Sequence, residues 1–420
     1  MTTIDGLAYY EIDFNADGTL NTTTGNGDGG LAAAVSAGGI SDLFVLSHGW
    51  NNGVDSARDL YQAMFSKLAD ELGTHKDNSA AVGVIWPSLL LPDDDPATAP
   101  PVPSTGAQLA ATLTPAFPQQ ANDLATIGGL LDDQPQDEQK LTEFHSLATN
   151  LVTTKPIAEE DSGESSMITG EPMQVLNYAA TLAPAQASDA QGLPNPFTQF
   201  WSGARELLRT MAYYEMKNRA GVVGKNGLGP LLAGLPGLPR IHLMGHSFGA
   251  RLVSYALAGL PAAPSGTSSP IKSLTLIQGA FSHFTFASTL PFDGGRGGEL
   301  AGHGAKVDGP LLATFTAADR AVGWWYPAAS FLARQDNESA DDAAYRWGAM
   351  GHDGYQQEPP STAIPLAPTG HIYDFAPGQF YTLDANAVIN ANQSAFSGAH
   401  SDIRHAEVLW AVVCAAGLKH

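Results

Sequence analysis

Gly245-His246-Ser247-Phe248-Gly249 sets a serine between two glycines, directly after the apolar run from Ile241 to Met244. The residues after it, Ala250 to Leu260, place Leu252, Tyr255, Ala256 and Leu260 near helical spacing. A serine on a sharp strand-to-helix turn has its hydroxyl lifted clear of the sheet. It also lies beside the first amides of a helix, where negative charge is favoured. Glycines two positions before and after it remove the β-carbons that would strike the neighbouring backbone. The chemistry expected of such a serine is nucleophilic attack.

A serine hydroxyl is a poor nucleophile until a base takes its proton. Imidazole titrates near neutrality, and a carboxylate must hold its tautomer and stabilise its charged form. The chain has twelve histidines. His400 is the chosen base, because it follows the last strand pattern, Phe380 to Leu383; His405 is the second choice. Asp319, three residues past the apolar run from Leu311 to Thr316, is the chosen acid, ahead of Asp308 and Asp293. His48-Gly49-Trp50 ends the strand pattern Leu43 to Ser47. The backbone N–H of Trp50 and that of Phe248 are the candidate pair for holding an oxyanion. His48, Gly49 and His246 are candidate substrate contacts, as are Trp324 and Trp325 in the aromatic group that ends at Tyr326.

The elements that must position these residues alternate. Strands are expected at 7–14, 43–47, 81–86, 241–244, 271–278, 311–316 and 380–383. Helices are expected at 56–72, 197–219 and 250–260, and a final helix is expected to be capped by Ser401. Gly221 to Gly237 reads as a glycine-rich return to the elbow strand, and Asp293 to Gly298 as a flexible loop. From Ser88 to about Pro196 the chain turns rich in Pro, Ala, Asp and Gln, with short amphipathic pieces such as Leu141, Phe144 and Leu151. So long a stretch without strong strands is an insertion rather than a loop, read here as a mostly helical cap over the active site. The expected division is a core of 1–88 and 197–420 with a cap of 89–196. Asp13-Phe14-Asn15-Ala16-Asp17-Gly18 resembles the opening of a calcium loop, but Thr24 stands where a bidentate Glu belongs, so a hairpin turn is preferred.

With these residues in view, the sequence resembles the α/β-hydrolase superfamily in its serine esterase and lipase branch. The likeness rests on Gly245-His246-Ser247-Phe248-Gly249, on His48-Gly49-Trp50, and on the chain order Ser247, Asp319, His400. It covers residues of about 40–88 and 197–420. It implies a mostly parallel, doubly wound sheet with helices on both faces and an acyl-enzyme on Ser247, with no metal or other cofactor. It does not choose among ester, amide and acyl-transfer chemistry. A carboxylic ester hydrolase is the first expectation, an amidase, peptidase or acyltransferase the alternative, and a non-catalytic binding protein the third.

Composition narrows the partners. Lys and Arg number 20 against 42 Asp and Glu, for a net charge of -22. That speaks against nucleic acid and anionic membrane surfaces and for a neutral or apolar substrate, while the apolar, proline-rich cap and Trp324 to Tyr326 point to a small hydrophobic or aromatic ester. The one cysteine, Cys414, excludes an intrachain disulfide. The N-terminus shows neither the basic nor the apolar segment of a signal peptide, and no run suits a membrane span, so a cytoplasmic enzyme without stable membrane insertion is expected. The residues specify no oligomeric state.

Overall fold

The computed structural model describes residues 2–23, 27–50, 53–88, 105–153, 162–182, 196–237, 239–261, 268–320, 345–346, 348–357, 360–391 and 398–419. The chain divides into two compact units. The first comprises Met1–Ser88, Arg219–Val322 and Gly348–His420; the second comprises Leu89–Asn218 and Gly323–Trp347.

The first unit is built on a sheet of nine strands: β1 (Thr2–Ile4), β2 (Leu7–Asp13), β3 (Asp42–Ser47), β4 (Ser79–Ile85), β5 (Arg240–His246), β6 (Ile271–Ile277), β7 (Leu311–Phe315), β8 (Thr362–Pro365) and β9 (Phe380–Asp384). Their order across the sheet is β1-β2-β4-β3-β5-β6-β7-β9-β8. Only β1 runs antiparallel to its neighbour; every other pairing is parallel. The central strands are continuous apolar runs because both of their faces are covered, as parallel sheets require. All residues of β3 and β4 are buried.

Helix α1 (Leu31–Ser36) precedes β3, and α2 (Val54–Leu72) makes the crossover from β3 to β4. Leu60, Tyr61, Met64, Phe65, Leu68 and Leu72 recur at helical spacing in α2 and are all buried. They form one apolar cluster with Phe44, Leu46, Met244 and Leu383 of the sheet and with Val408, Leu409, Val412 and Val413 of the last helix. Side chains alternate along a strand, so Leu43, Val45 and Leu243 face the other way. The arrangement is compatible with a doubly wound α/β fold.

The glycine-rich return at 221–237 is not a plain loop. It forms a π-helical turn, Val223–Leu228, and a short helix, α9 (Gly229–Ala233). The reason is close packing: a β-carbon on Gly224 would lie 2.1 Å from the Leu252 carbonyl oxygen of the helix after β5. The segment 290–298 is also pinned, by Leu290 N–H to the Arg296 carbonyl at 2.7 Å and Gly298 N–H to the Ala287 carbonyl at 2.9 Å. At the N-terminus, Phe14 and Leu20 form an antiparallel bridge around the expected turn. Asp17 accepts from the Thr19 N–H at 2.9 Å and the Thr19 hydroxyl at 2.6 Å. Strands β1 and β8 were not legible in the sequence.

The second unit is helical among the described residues. It holds α3 (Gly106–Leu113), α4 (Ala121–Asp133), α5 (Glu138–Thr149), α6 (Ser162–Thr169), α7 (Pro172–Ala180) and most of α8 (Pro196–Val222). Thr105 caps α3 and Asp137 caps α5 through side-chain oxygens. Trp201 donates its indole N–H to the Pro135 carbonyl at 3.1 Å and meets Phe144 edge-on. Glu215, buried in this unit, accepts from Thr153 N–H at 2.8 Å and from its hydroxyl at 3.0 Å. No helix among the described residues is long and apolar enough to cross a membrane.

Candidate active site

Strand order sets the place. From β3 the chain crosses to β4 on one side, and it later enters β5 on the other side. The C-terminal ends of β3 and β5 therefore flank a topological switch point, where open α/β sheets form their crevice. Ser47 stands opposite Gly245 in that pairing, so His48-Gly49-Trp50 and His246-Ser247 emerge side by side.

Ser247 is the N-cap of α10 (Phe248–Gly259), with φ 57° and ψ −122°. A non-glycine residue there costs on the order of 1–3 kcal/mol and persists only where its surroundings hold it. They do: Ser247 N–H donates to the Ile277 carbonyl at 3.1 Å, and the Ser247 carbonyl accepts from Ala250 at 3.1 Å and Ala280 at 3.3 Å. The flanking glycines answer steric need. A β-carbon on Gly245 would lie 2.3 Å from the Gly249 carbonyl oxygen, and one on Gly249 would lie 2.1 Å from that of Ser47.

The loop after β3 lies against the serine, since a β-carbon on Gly49 would come within 2.6 Å of Ser247 Cβ. Three side chains fix this loop. The Tyr61 hydroxyl accepts the His48 N–H at 3.0 Å and donates to the Val84 carbonyl. Trp86 donates its indole N–H to the His48 carbonyl at 3.1 Å, and its ring stacks on the His48 ring at 5.5 Å. His48 Nδ1–H donates to the Gly49 carbonyl at 2.8 Å. Burial drives the His48 pKa down to about 4, so the ring is neutral. Trp50 and Phe248 have their rings 6.1 Å apart.

On the far side of β5, Asp319 and His400 meet. His400 Nδ1–H donates to Asp319 Oδ2 at 2.8 Å, with both residues buried. Their loops are joined by a backbone bridge between Asp319 and Gly398 and by Ala399 N–H to the Ala318 carbonyl at 2.9 Å. Gln278, at the end of β6, was missed by sequence reasoning. Its Nε2 donates to Asp319 Oδ2 at 3.2 Å and to the Gly351 carbonyl at 3.3 Å. Its Oε1 accepts the Thr314 hydroxyl at 2.9 Å, which fixes the orientation of the amide. Gln278 also has a positive φ of 47° and is fully buried. Asn386 holds the turn before the acid, accepting from Ala317 N–H at 2.9 Å.

The final helix starts later than expected. It is α12 (Ala406–Ala415), after a short helix α11 (Met350–Asp353), and its N-cap is His405 rather than Ser401. Asp402 explains the delay: its carboxylate accepts Asn390 N–H at 3.1 Å and Ala391 N–H at 2.8 Å, and lies 3.2 Å from His405 Nε2. Asp308 pairs with Lys272 and Asp293 lies beside Arg296.

His246 links the two sides. Its Nε2–H donates to the His400 carbonyl at 3.0 Å, and the two rings stand 4.9 Å apart. Burial, then the neighbouring charge of His400, pushes its pKa down to about 3. The Ser247 hydroxyl and His400 Nε2 make no hydrogen bond to each other or to another group among the described residues. Among the candidate substrate contacts, Gly49 lies on the serine, while the rings of His48 and His246 are engaged with backbone carbonyls. Trp324 and Trp325, with Tyr326, lie outside the described residues. No group of three His, Cys, Asp or Glu is placed to hold a metal among the described residues.

What fold and site define is an α/β protein whose mostly parallel sheet carries, at its switch point, a serine on a strained turn near an Asp–His pair. No family model, no curated protein and no solved structure matches the chain.

Proposed function

We propose that this chain is a serine hydrolase of carboxylic esters with the α/β-hydrolase fold. The observation that carries the reading is the strained Ser247 turn at the switch point, tied through His246 to the Asp319–His400 hydrogen bond. Supporting it is the chain order Ser, Asp, His, in the segments that follow β5, β7 and β9 respectively.

In this reading Ser247 Oγ attacks the ester carbonyl while His400 Nε2 takes its proton. Asp319 holds the Nδ1–H tautomer and stabilises the imidazolium. The N–H groups of Trp50 and Phe248 hold the oxyanion; losing one such donor costs about 10²–10³ in rate. The tetrahedral species collapses, the imidazolium gives its proton to the leaving alcohol, and an acyl-serine remains. Water, deprotonated by His400, then releases the acid. The substrate is a small hydrophobic or aromatic ester, consistent with a chain of net charge -22.

The test is hydrolysis of a p-nitrophenyl ester series from acetate to palmitate, with Ser247→Ala beside wild type. The expected loss in kcat is at least about 10³-fold. A fluorophosphonate should label Ser247 of the wild type; a folded protein that neither hydrolyses any ester nor takes the label would overturn the reading.

A further inference from the structure

We infer that His246 is a positioning residue, whose Nε2–H clamps the backbone of His400 so that the catalytic ring stays registered with Ser247. The inference rests on the hydrolase reading and deepens it.

His246 ends β5, where it pairs with Ile277, and directly precedes the strained Ser247, so strand pairing fixes its backbone. Its side chain reaches across to the other half of the site and donates Nε2–H to the His400 carbonyl at 3.0 Å. His400 is anchored from three directions: Nδ1 to Asp319, carbonyl to His246, and the preceding Ala399 N–H to Ala318. The His246 bond alone among these runs to the serine-bearing turn. Without it, these hydrogen bonds tie the His400 loop only to the Asp319 side of the site.

The chemistry of the ring suits this task. A carbonyl partner requires a donor at Nε2, which leaves Nδ1 as an acceptor. That Nδ1 is buried with no hydrogen-bond partner among the described residues. A phenyl ring would avoid burying an unmet acceptor, so stability does not account for an imidazole here, whereas the Nε2–H bond does. Burial, then the neighbouring charge of His400, act against protonation of His246 and outweigh the bond to the His400 carbonyl, which favours it. His246 therefore stays neutral while, in the proposed mechanism, His400 takes and returns a proton. One histidine turns over protons, and the adjacent one is kept from doing so.

The experiment compares His246→Phe, which removes the donor, with His246→Gln, whose amide can offer one near the same place. His246→Phe should lower kcat roughly 10- to 100-fold, the scale expected for a displaced catalytic group, with KM within about two-fold. His246→Gln should recover kcat to within about five-fold of wild type. A second readout is independent of turnover. In the Ser247→Ala background, the low-field proton resonance of the His400–Asp319 hydrogen bond should be sharp with His246 or Gln and broadened with Phe. Unchanged kcat and an unchanged resonance in His246→Phe would overturn the clamp. So would equal loss in both variants at wild-type Tm, because ring shape rather than the donor would then matter. If the wild type fails to label with a fluorophosphonate, the hydrolase reading falls, and the resonance still decides whether His246 holds His400.

Discussion

The two halves of the site, named here by the roles proposed for them, are built in different ways. The nucleophile half comes from adjacent strand ends, and its geometry follows from close backbone contact. Gly245, Gly249 and Gly49 each stand where a β-carbon would strike a neighbour within 2.6 Å. The acid–base half comes from four separate segments, at Gln278, Asp319, Gly351 and His400, and is held by side-chain hydrogen bonds. Steric demand within a few residues leaves a sequence motif. A hydrogen-bond network spread over distant loops leaves none.

If that contrast is right, breaking the acid–base half should disturb chemistry more than folding. The largest effect is expected from Asp319→Asn, which keeps the shape but favours the wrong imidazole tautomer. Its kcat should fall on the order of 10³–10⁴-fold, with Tm close to wild type; rates measured beside thermal melts decide it.

The nucleophile half should instead show itself in stability at acid pH. His48 and His246 are held neutral, with pKa values of about 4 and about 3 against an ordinary 6.5. The unfolded chain therefore binds more protons than the folded one between those values. Stability should be complete above about pH 6.5 and fall as pH drops toward 4. His48→Gln should reduce the proton uptake on unfolding near pH 5 by about one, measured from the pH dependence of urea unfolding. An unchanged slope would show that the His48 ring is not buried neutral.

A smaller effect is expected at Gln278. Gln278→Leu should lower kcat roughly 10- to 100-fold by freeing Asp319. The smallest effect is expected from Tyr61→Phe, which loosens the loop at His48. A stability loss of about 1–3 kcal/mol should come with a kcat change of no more than roughly five-fold, read by denaturant titration and steady-state rates.

Legibility followed the same division. The runs from Leu43 to Ser47 and from Ile241 to Met244 are apolar on both faces, so the central strands could be read, and with them the serine turn. Asp319 and His400 were chosen by their order after strands, and the structure places them 2.8 Å apart. Gln278 reads as the polar end of an apolar strand; nothing near it in the chain announces Thr314 or Asp319. Tyr61 reads as one more buried position of α2, because its hydroxyl partners at His48 and Val84 belong to other elements. Ser401 looked like a helix cap, but the carboxylate at Asp402 turns back to the 390–391 backbone and keeps the chain irregular until Ala406. Strand β8 has no buried residue to mark it.

The pairing of β3 with β5 carries one further consequence, for the route by which the chain folds. Strands β2, β3 and β4 and the crossover α2 can associate from the first 85 residues alone. Asp42 and Arg240, which open the β3–β5 register, lie about 200 residues apart, and joining them must bear the entropy of closing that loop before its contacts compensate. The serine turn sits at the end of that late seam. In refolding, secondary structure and the first apolar contacts should return well before Ser247 can be labelled.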